Sequence, residues 1–451
     1  MPETLTTRFG LHNYSADTDA FPGFRADTSD NVTKLDALAV KFTIGPIASR
    51  PAPAAANIGT AWITDTGSIT WSTGSAWLTH DQGFIDVRDF VAPGSLGGPL
   101  PVGGYSTAQL NLWTAGMNAA LAAARAAGQK LYVPSGTYWF NAGIDFSGVD
   151  VFGDGFTRTF LYVAPTIAGP GIYSAASDFR SCSLTDLSVS VGDNWTAATT
   201  PIVLNFGNQR GGARIVRCRI TGTVGTALVK VDPVFAGAPG LPYSAFAGPW
   251  VFEDSQFLQL STAGNNIALV GSDVVRIDRC IVTGGAAGIS GLSGGTLGRV
   301  IIDGTAISGS SLFAVTWSTP APLLMQNCVI GSAKILAVNN TTTAAVTLRD
   351  CIQTASQAGA IDWNANVVAG SLTFASVQFG FNAGLVSTIV FGAVTKTVAL
   401  ITIGSSGVAD PTVGAATNPF VNITSGTISQ KHIAWVRLDP TSGLPVAVVN
   451  V

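Results

Sequence analysis

Three acidic residues recur at one place in a repeated phrase: Glu253 in "FEDSQF", Asp278 in "IDRCIV" and Asp303 in "IDGTAI", spaced by 25 residues. Carboxylates held at one structural position can stack. A stacked pair is the minimum equipment for glycoside hydrolysis, with one acid kept protonated beside an ionised partner. The same phrases carry a second kind of chemistry. "RIVRCRITG" from 214 and "RIDRCIVTG" from 276 each place a cysteine behind an arginine, in a chain that has only five cysteines. Such a thiol is a candidate redox group, metal ligand or disulfide half.

The elements that must position these groups follow from the repeat. Aligned on this phrase, eight copies run from "FRSCSL" at 179 to "FASVQF" at 374, with their fourth residues at 182, 218, 255, 280, 305, 328, 351 and 377. The first residue is always large and apolar, the sixth is apolar except for Gln353, and the fourth is Cys, Ser, Thr or Val. Residues four and six share one face of a strand because strand side chains alternate. Residue one joins them only if the chain bends at positions two and three. A strand that bends, continues and returns after about 24 residues is one coil of a parallel β-solenoid.

In that register all five cysteines fall in an inward column of small residues, layered about 4.8 Å apart, where Cys acts as a small hydrophobe. Cys182 with Cys218, and Cys328 with Cys351, occupy adjacent coils, but their parallel Cβ vectors suit a disulfide poorly. There is no Cys-x-x-Cys motif, and His12, His80 and His432 all lie outside the repeats. No metal and no cofactor is expected. The acids at 253, 278 and 303 read more simply as solvated corner residues, offset by Arg217 and Arg279, because a bend must be polar. No pectate-lyase calcium and arginine pattern and no polygalacturonase signature appears in the coils.

Binding has a separate set of candidates. Two coils exceed the others by about 12 residues, and the excess lies in "VGDNWTAATTPIVLNFGNQRGG" and "TGTVGTALVKVDPVFAGAPGLPYSAFAGPW". Segments that depart from a repeat are where solenoids carry function. Trp195, Tyr243, Phe246 and Trp250 accompany Asp193, Asn208, Arg210 and Asp232 there, a mixture that suits a sugar: rings stack on its carbon–hydrogen face while polar groups meet its hydroxyls. The same aromatics equally suit coil packing or a subunit interface. Trp317 and Trp363, in later coils, extend such a surface or face a neighbouring subunit.

Composition narrows the classes. Charged residues make up 11% of the chain and the formal net charge is -3, so no basic field exists for nucleic acid. No apolar run approaches the ~20 residues of a membrane span, and "MPETLTTRFG" lacks the pattern of a signal peptide.

Three regions are expected: a connector over 1–83, a solenoid over 84–385 and a C-terminal β cap over 386–451. The connector has a short helix in "SDNVTKLDALAV" and small hairpins in "AWITDTGSITWSTGSAWLTHD". The solenoid opens with a helix in "STAQLNLWTAGMNAALAAARAAG", with Ser106 and Gln109 as its capping box, Leu110, Trp113, Met117 and Leu121 as its apolar stripe and Gly128 as its stop. "HIAWVRLDPTSGLPVAVVNV" reads as a terminal hairpin.

"FIDVRDF", the helix, "KLYVPSGTYWF" and "VDVFGDGF", in that order, resemble the start of the pectate-lyase-like right-handed β-helix family, particularly phage tailspikes and tail fibres. The close match covers about 80 residues. It departs after "DVRDF", where the family often has a Gly-Asp-Gly turn and paired aspartates and this chain has "VAPGSLGGPLPVGGY". "RFGLHNYSADTDAFPGFRADTSDNVTKLDALA" and the "DTG" and "GSAW" hairpins are similar to the attachment region of siphophage minor tail proteins. The resemblance implies an all-β, right-handed parallel β-helix with one capping α-helix, in a virion tail protein and homotrimer. Its implied partners are other tail or baseplate proteins and a bacterial surface polysaccharide, and its implied activities are recognition or depolymerisation.

Overall fold

The computed structural model describes residues 83–91, 106–164, 181–191, 211–231 and 249–354 almost continuously, together with individual strands elsewhere. The chain divides into two units, Met1–Gly83 and Phe84–Val451. In the first, Ala61–Ile63, Ile69–Ser72 and Trp77–Thr79 form the expected antiparallel meander, with Phe42–Ile44 added in parallel at its edge. The helix expected in "SDNVTKLDALAV" lies outside the described residues.

The second unit is a right-handed parallel β-helix of three faces. Face one runs from Phe84–Asp86 through Lys130–Val133, Asp150–Gly153 and Cys182–Thr185 into the repeats. Face two begins at Gly136–Phe140 and face three at Ile144–Asp145. The expected helix, α1, spans Thr107–Ala127. The Ser106 hydroxyl accepts the Gln109 N–H at its start, and Gly128 ends it at φ 63°. Its buried side, including Trp113, Met117, Leu121 and Ala124, packs on the first strands of the β-helix. Gly116 is required there, since a Cβ would stand 2.5 Å from that of Val91.

The bend between faces one and two is made by one residue. Position three is left-handed in seven consecutive repeats: Asp186, Arg217, Asp254, Arg279, Asn327 and Asp350 have φ of 49–56°, and Gly304 has 55°. This conformation costs a non-glycine residue roughly 1–2 kcal/mol, least for Asp and Asn. The ladder nonetheless continues through it. The Arg279 N–H donates to the Asp303 carbonyl of the next coil at 2.9 Å, and the Ile281 N–H to the Ser255 carbonyl of the previous one at 2.9 Å. The same pair of bonds recurs from Arg217 and Arg219 to Asn327 and Val329.

Position four secures the bend from inside. Ser255 Oγ donates to the Glu253 carbonyl at 2.8 Å, Thr305 Oγ1 to that of Asp303 at 3.0 Å, and the thiols of Cys280, Cys328 and Cys351 to the carbonyls two residues before them at 3.2–3.3 Å. From Cys218 to Cys351 the column therefore holds small side chains that can donate. It does not contain Cys182. The first copy is "LTDLSV" from 184, since Leu184 pairs with Ile215 and Asp186 makes the bend, so Leu187 occupies position four. Cys182 points inward two residues before position one, in line with Ala213, Trp250 and Val275.

Parallel pairing also passes the expected boundary at 385. Ile389–Phe391 pairs with Val421–Ile423, and Ile401–Ser405 with Ile433–Leu438, which turns back on Pro445–Asn450 as the expected antiparallel hairpin.

All five thiols are free and buried, and burial pushes those of Cys218 and Cys280 up to about 12. Thiol reagents should leave the native protein unlabelled and modify all five after unfolding; rapid labelling of native Cys280 would contradict the inward column. Asp350→Val should lower stability in urea unfolding by about 1–2 kcal/mol, the cost of a β-branched residue at positive φ, while Asp350→Gly stays near wild type.

Candidate functional site

The register brings the three predicted acids together. Glu253 pairs with Asp278 and Asp278 with Asp303 on three successive strands, so the side chains stack at about 4.8 Å intervals on the outer side of the bend. The column continues into Gln326 and Arg349. Beside it runs the column of left-handed residues.

Each acid is engaged. Glu253 meets Arg279 Nη2 at 2.6 Å and Arg214 Nη2 at 3.2 Å, one guanidinium on each oxygen. Arg279 also forks onto Asp254 through Nε at 2.7 Å and Nη2 at 3.0 Å, and Arg217 forks onto Asp186 at 2.7 and 2.6 Å. The two arginines at left-handed positions are thus each paired with an aspartate at the same position one coil earlier. Asp303 accepts from Asn327 Nδ2 at 2.9 Å and Gln326 Nε2 at 2.8 Å. Asp278 differs from its neighbours. It is only 6% exposed, Arg276 Nε holds its Oδ2, and its buried Oδ1 has no hydrogen-bond partner among the described residues.

At Asp303 and Asp254 these contacts favour the ionised carboxylate. The Asn327 amide is the main reason that Asp303 sits below its ordinary value, and the Arg279 hydrogen bond is the main reason for Asp254. Both are moved away from the near-neutral value that a general acid needs. The arginines Arg214, Arg276 and Arg279 keep more than half of their side-chain surface exposed, so the corner presents guanidinium edges and carboxylate oxygens to solvent together. Such a surface can hydrogen-bond hydroxyl groups in both senses. Among the described residues no His, Cys, Asp and Glu grouping fits a metal ion.

The predicted aromatic site fares differently. Trp250 is fully buried, a correction to its reading as a sugar platform. It points inward beside Ala213 and its ring stacks on Phe252 at 5.8 Å. Trp317 is also fully buried, donates to the Ala321 carbonyl at 2.9 Å and fits because Gly291 has no Cβ to meet its ring. Asp193, Trp195, Asn208, Arg210, Asp232, Tyr243 and Phe246, and the side chain of Trp363, lie outside the described residues. The chain leaves face three at Val231 and re-enters face one at Trp250, whereas the acidic column stands at the opposite end of face one. Sequence reasoning missed Arg214, Arg276 and Asn327 as partners of the acids, although Arg276 stands two residues before Asp278, on the same side of its strand.

The sequence matches no protein-family model and no curated protein. Solved structures similar to the chain include a mannuronan C-5 epimerase A-module from Azotobacter vinelandii, at 14% identity and TM-score 0.40 over 77% of this chain and 100% of that one. ORF18 of Geobacillus virus E2 is similar at 11% identity and TM-score 0.46, over 88% and 75% of the two chains. The tailspike protein of an Acinetobacter phage is similar at 10% identity and TM-score 0.42, over 92% and 75%.

Asp303 tests the electrostatics. Its folded value is below the unfolded one, so the stability it contributes is complete above roughly pH 4 and is lost as pH falls through the lowered value. Asn327→Gly keeps the left-handed bend and removes the amide. The Asp303 carboxyl, followed by carbon NMR, should then titrate closer to its ordinary value, and the acid limb of the unfolding curve should move to higher pH.

Proposed function

We propose that this chain is a phage minor tail protein of the tail-fibre or tailspike type, whose β-helix recognises a bacterial surface polysaccharide during adsorption. Residues 1–83 attach it to other tail or baseplate proteins, and the assembled protein is a homotrimer in the virion tail. The resemblance of 84–160 and of the N-terminal segment supports the tail assignment. The observation that carries recognition is the corner itself: guanidinium, carboxylate and amide groups are stacked in register along a rigid ladder, each acid already held by a donor. A polysaccharide is a repeating ligand, and a repeating polar column suits it.

Cleavage is the second reading, and one observation favours it. Asp278 is a nearly buried carboxylate with one oxygen lacking a hydrogen-bond partner among the described residues, in register between two other acids on adjacent strands, whose general spacing of about 4.8 Å is near the ~5 to 5.5 Å of a retaining pair. Purified protein incubated with host envelope polysaccharide should bind it and release no reducing ends, and Arg279→Ala should weaken binding while the fold persists. Release of reducing ends that disappears in Asp278→Asn would establish the second reading instead. Absence of both binding and cleavage, with normal adsorption of virions lacking the β-helix, would leave a purely structural tail component.

A further inference from the structure

The three faces of the β-helix differ in what they expose. Face one carries the ion-paired corner. On face three, outward positions such as Ala268, Ser290 and Ala337 are buried, at 1–3% exposure. Among the described residues, face two carries the strand column of apolar side chains with the greatest exposure. Position five is Ile281, Ala306, Val329 and Ile352 in four consecutive coils, paired in register. Ile281, Val329 and Ile352 are 48%, 45% and 42% exposed, against the alternating polar outer side that a solvated strand usually has. The neighbouring outward column holds Thr283, Ser308, Gly331 and Thr354, small enough to leave the apolar ridge standing proud. Neither column bears a charge over these coils, whereas Arg219 occupies position five two coils earlier.

We infer that this stretch of face two, from Ile281 to Ile352, is a contact between copies of the chain, an inference that rests on the homotrimeric reading above and assigns its surface. Charge selects the occupant. When identical columns meet at a shared symmetry axis, each residue faces its own copy, so any charge there would oppose a like charge; a neutral column is the self-complementary solution. A polar glycan would find no hydrogen-bonding partners on these aliphatic side chains. The strands are already paired along both edges, so the contact must be made by side-chain packing and not by adding a strand. The ridge spans three strand spacings, about 14 Å. That is small for a stable interface on its own, which places it as one part of a longer contact along the axis.

Because the native cysteines are buried, a single introduced surface thiol is the reactive one. Full-length Val329→Cys, and separately Ile352→Cys, are treated with a short bismaleimide and run on denaturing gels, with Arg276→Cys on face one as the comparison; light scattering gives the wild-type mass. The expected result is a multimeric wild type and a shift of the Val329→Cys and Ile352→Cys bands from monomer to covalent dimer, with Arg276→Cys remaining monomer. A multimeric wild type in which neither face-two variant cross-links, or in which Arg276→Cys cross-links equally, overturns the assigned surface alone. A monomeric wild type overturns the homotrimeric reading together with it.

Discussion

One left-handed residue in each coil from Asp186 to Asp350 sets the rest of this β-helix. By turning the strand at position three without interrupting its hydrogen bonding, it lets positions one, four and six all face the core while positions two and three splay outward. The strain of that conformation recurs along the coils from Asp186 to Asp350, and the sequence limits it in three ways. Asp and Asn are used most, Gly304 takes one turn, and the two arginines are tied to aspartates one coil away. The donor at position four adds a hydrogen bond to the carbonyl just before the bend, where an alanine would leave that acceptor to the ladder alone.

The same constraint shapes the candidate binding surface. Side chains that must splay at a bend stack when the bend repeats, so a polar column is an unavoidable product of the architecture. Its individual ion pairs are largely exposed, and pairs of that kind are worth about 0–1 kcal/mol each. They are therefore poor explanations of stability and good material for a surface that exchanges partners: a guanidinium already aligned with a carboxylate can accept a hydroxyl between them at little conformational cost. Asp278 is the exception within this column, being nearly buried where Glu253 and Asp303 are half-exposed.

Much of this was legible in the residues. The period, the inward columns, the capping helix and the stack of Glu253, Asp278 and Asp303 follow from alternation and spacing alone. Cys182 and Trp250 were misplaced for one reason. Each stands two residues before a position-one residue, Leu184 and Phe252, and alternation puts both inside; the cysteine was aligned by its identity and the tryptophan by its neighbours in a long segment. The role of position four as a donor was hidden because Cys, Ser, Thr and Val look alike when only size is compared. Partners that cross from coil to coil, such as Arg214 with Glu253 over 39 residues, depend on the lengths of the intervening segments and are not visible locally.

Continuity of the ladder through the bend is the claim on which both the fold and the surface depend. Amide hydrogen exchange of the native protein, resolved at Arg279, Ile281, Asn327 and Val329, tests it directly. The bend amides should exchange as slowly as those inside the flanking strands; fast exchange at these positions, with protected strands on either side, would mean that the corners are loops and that no rigid column exists.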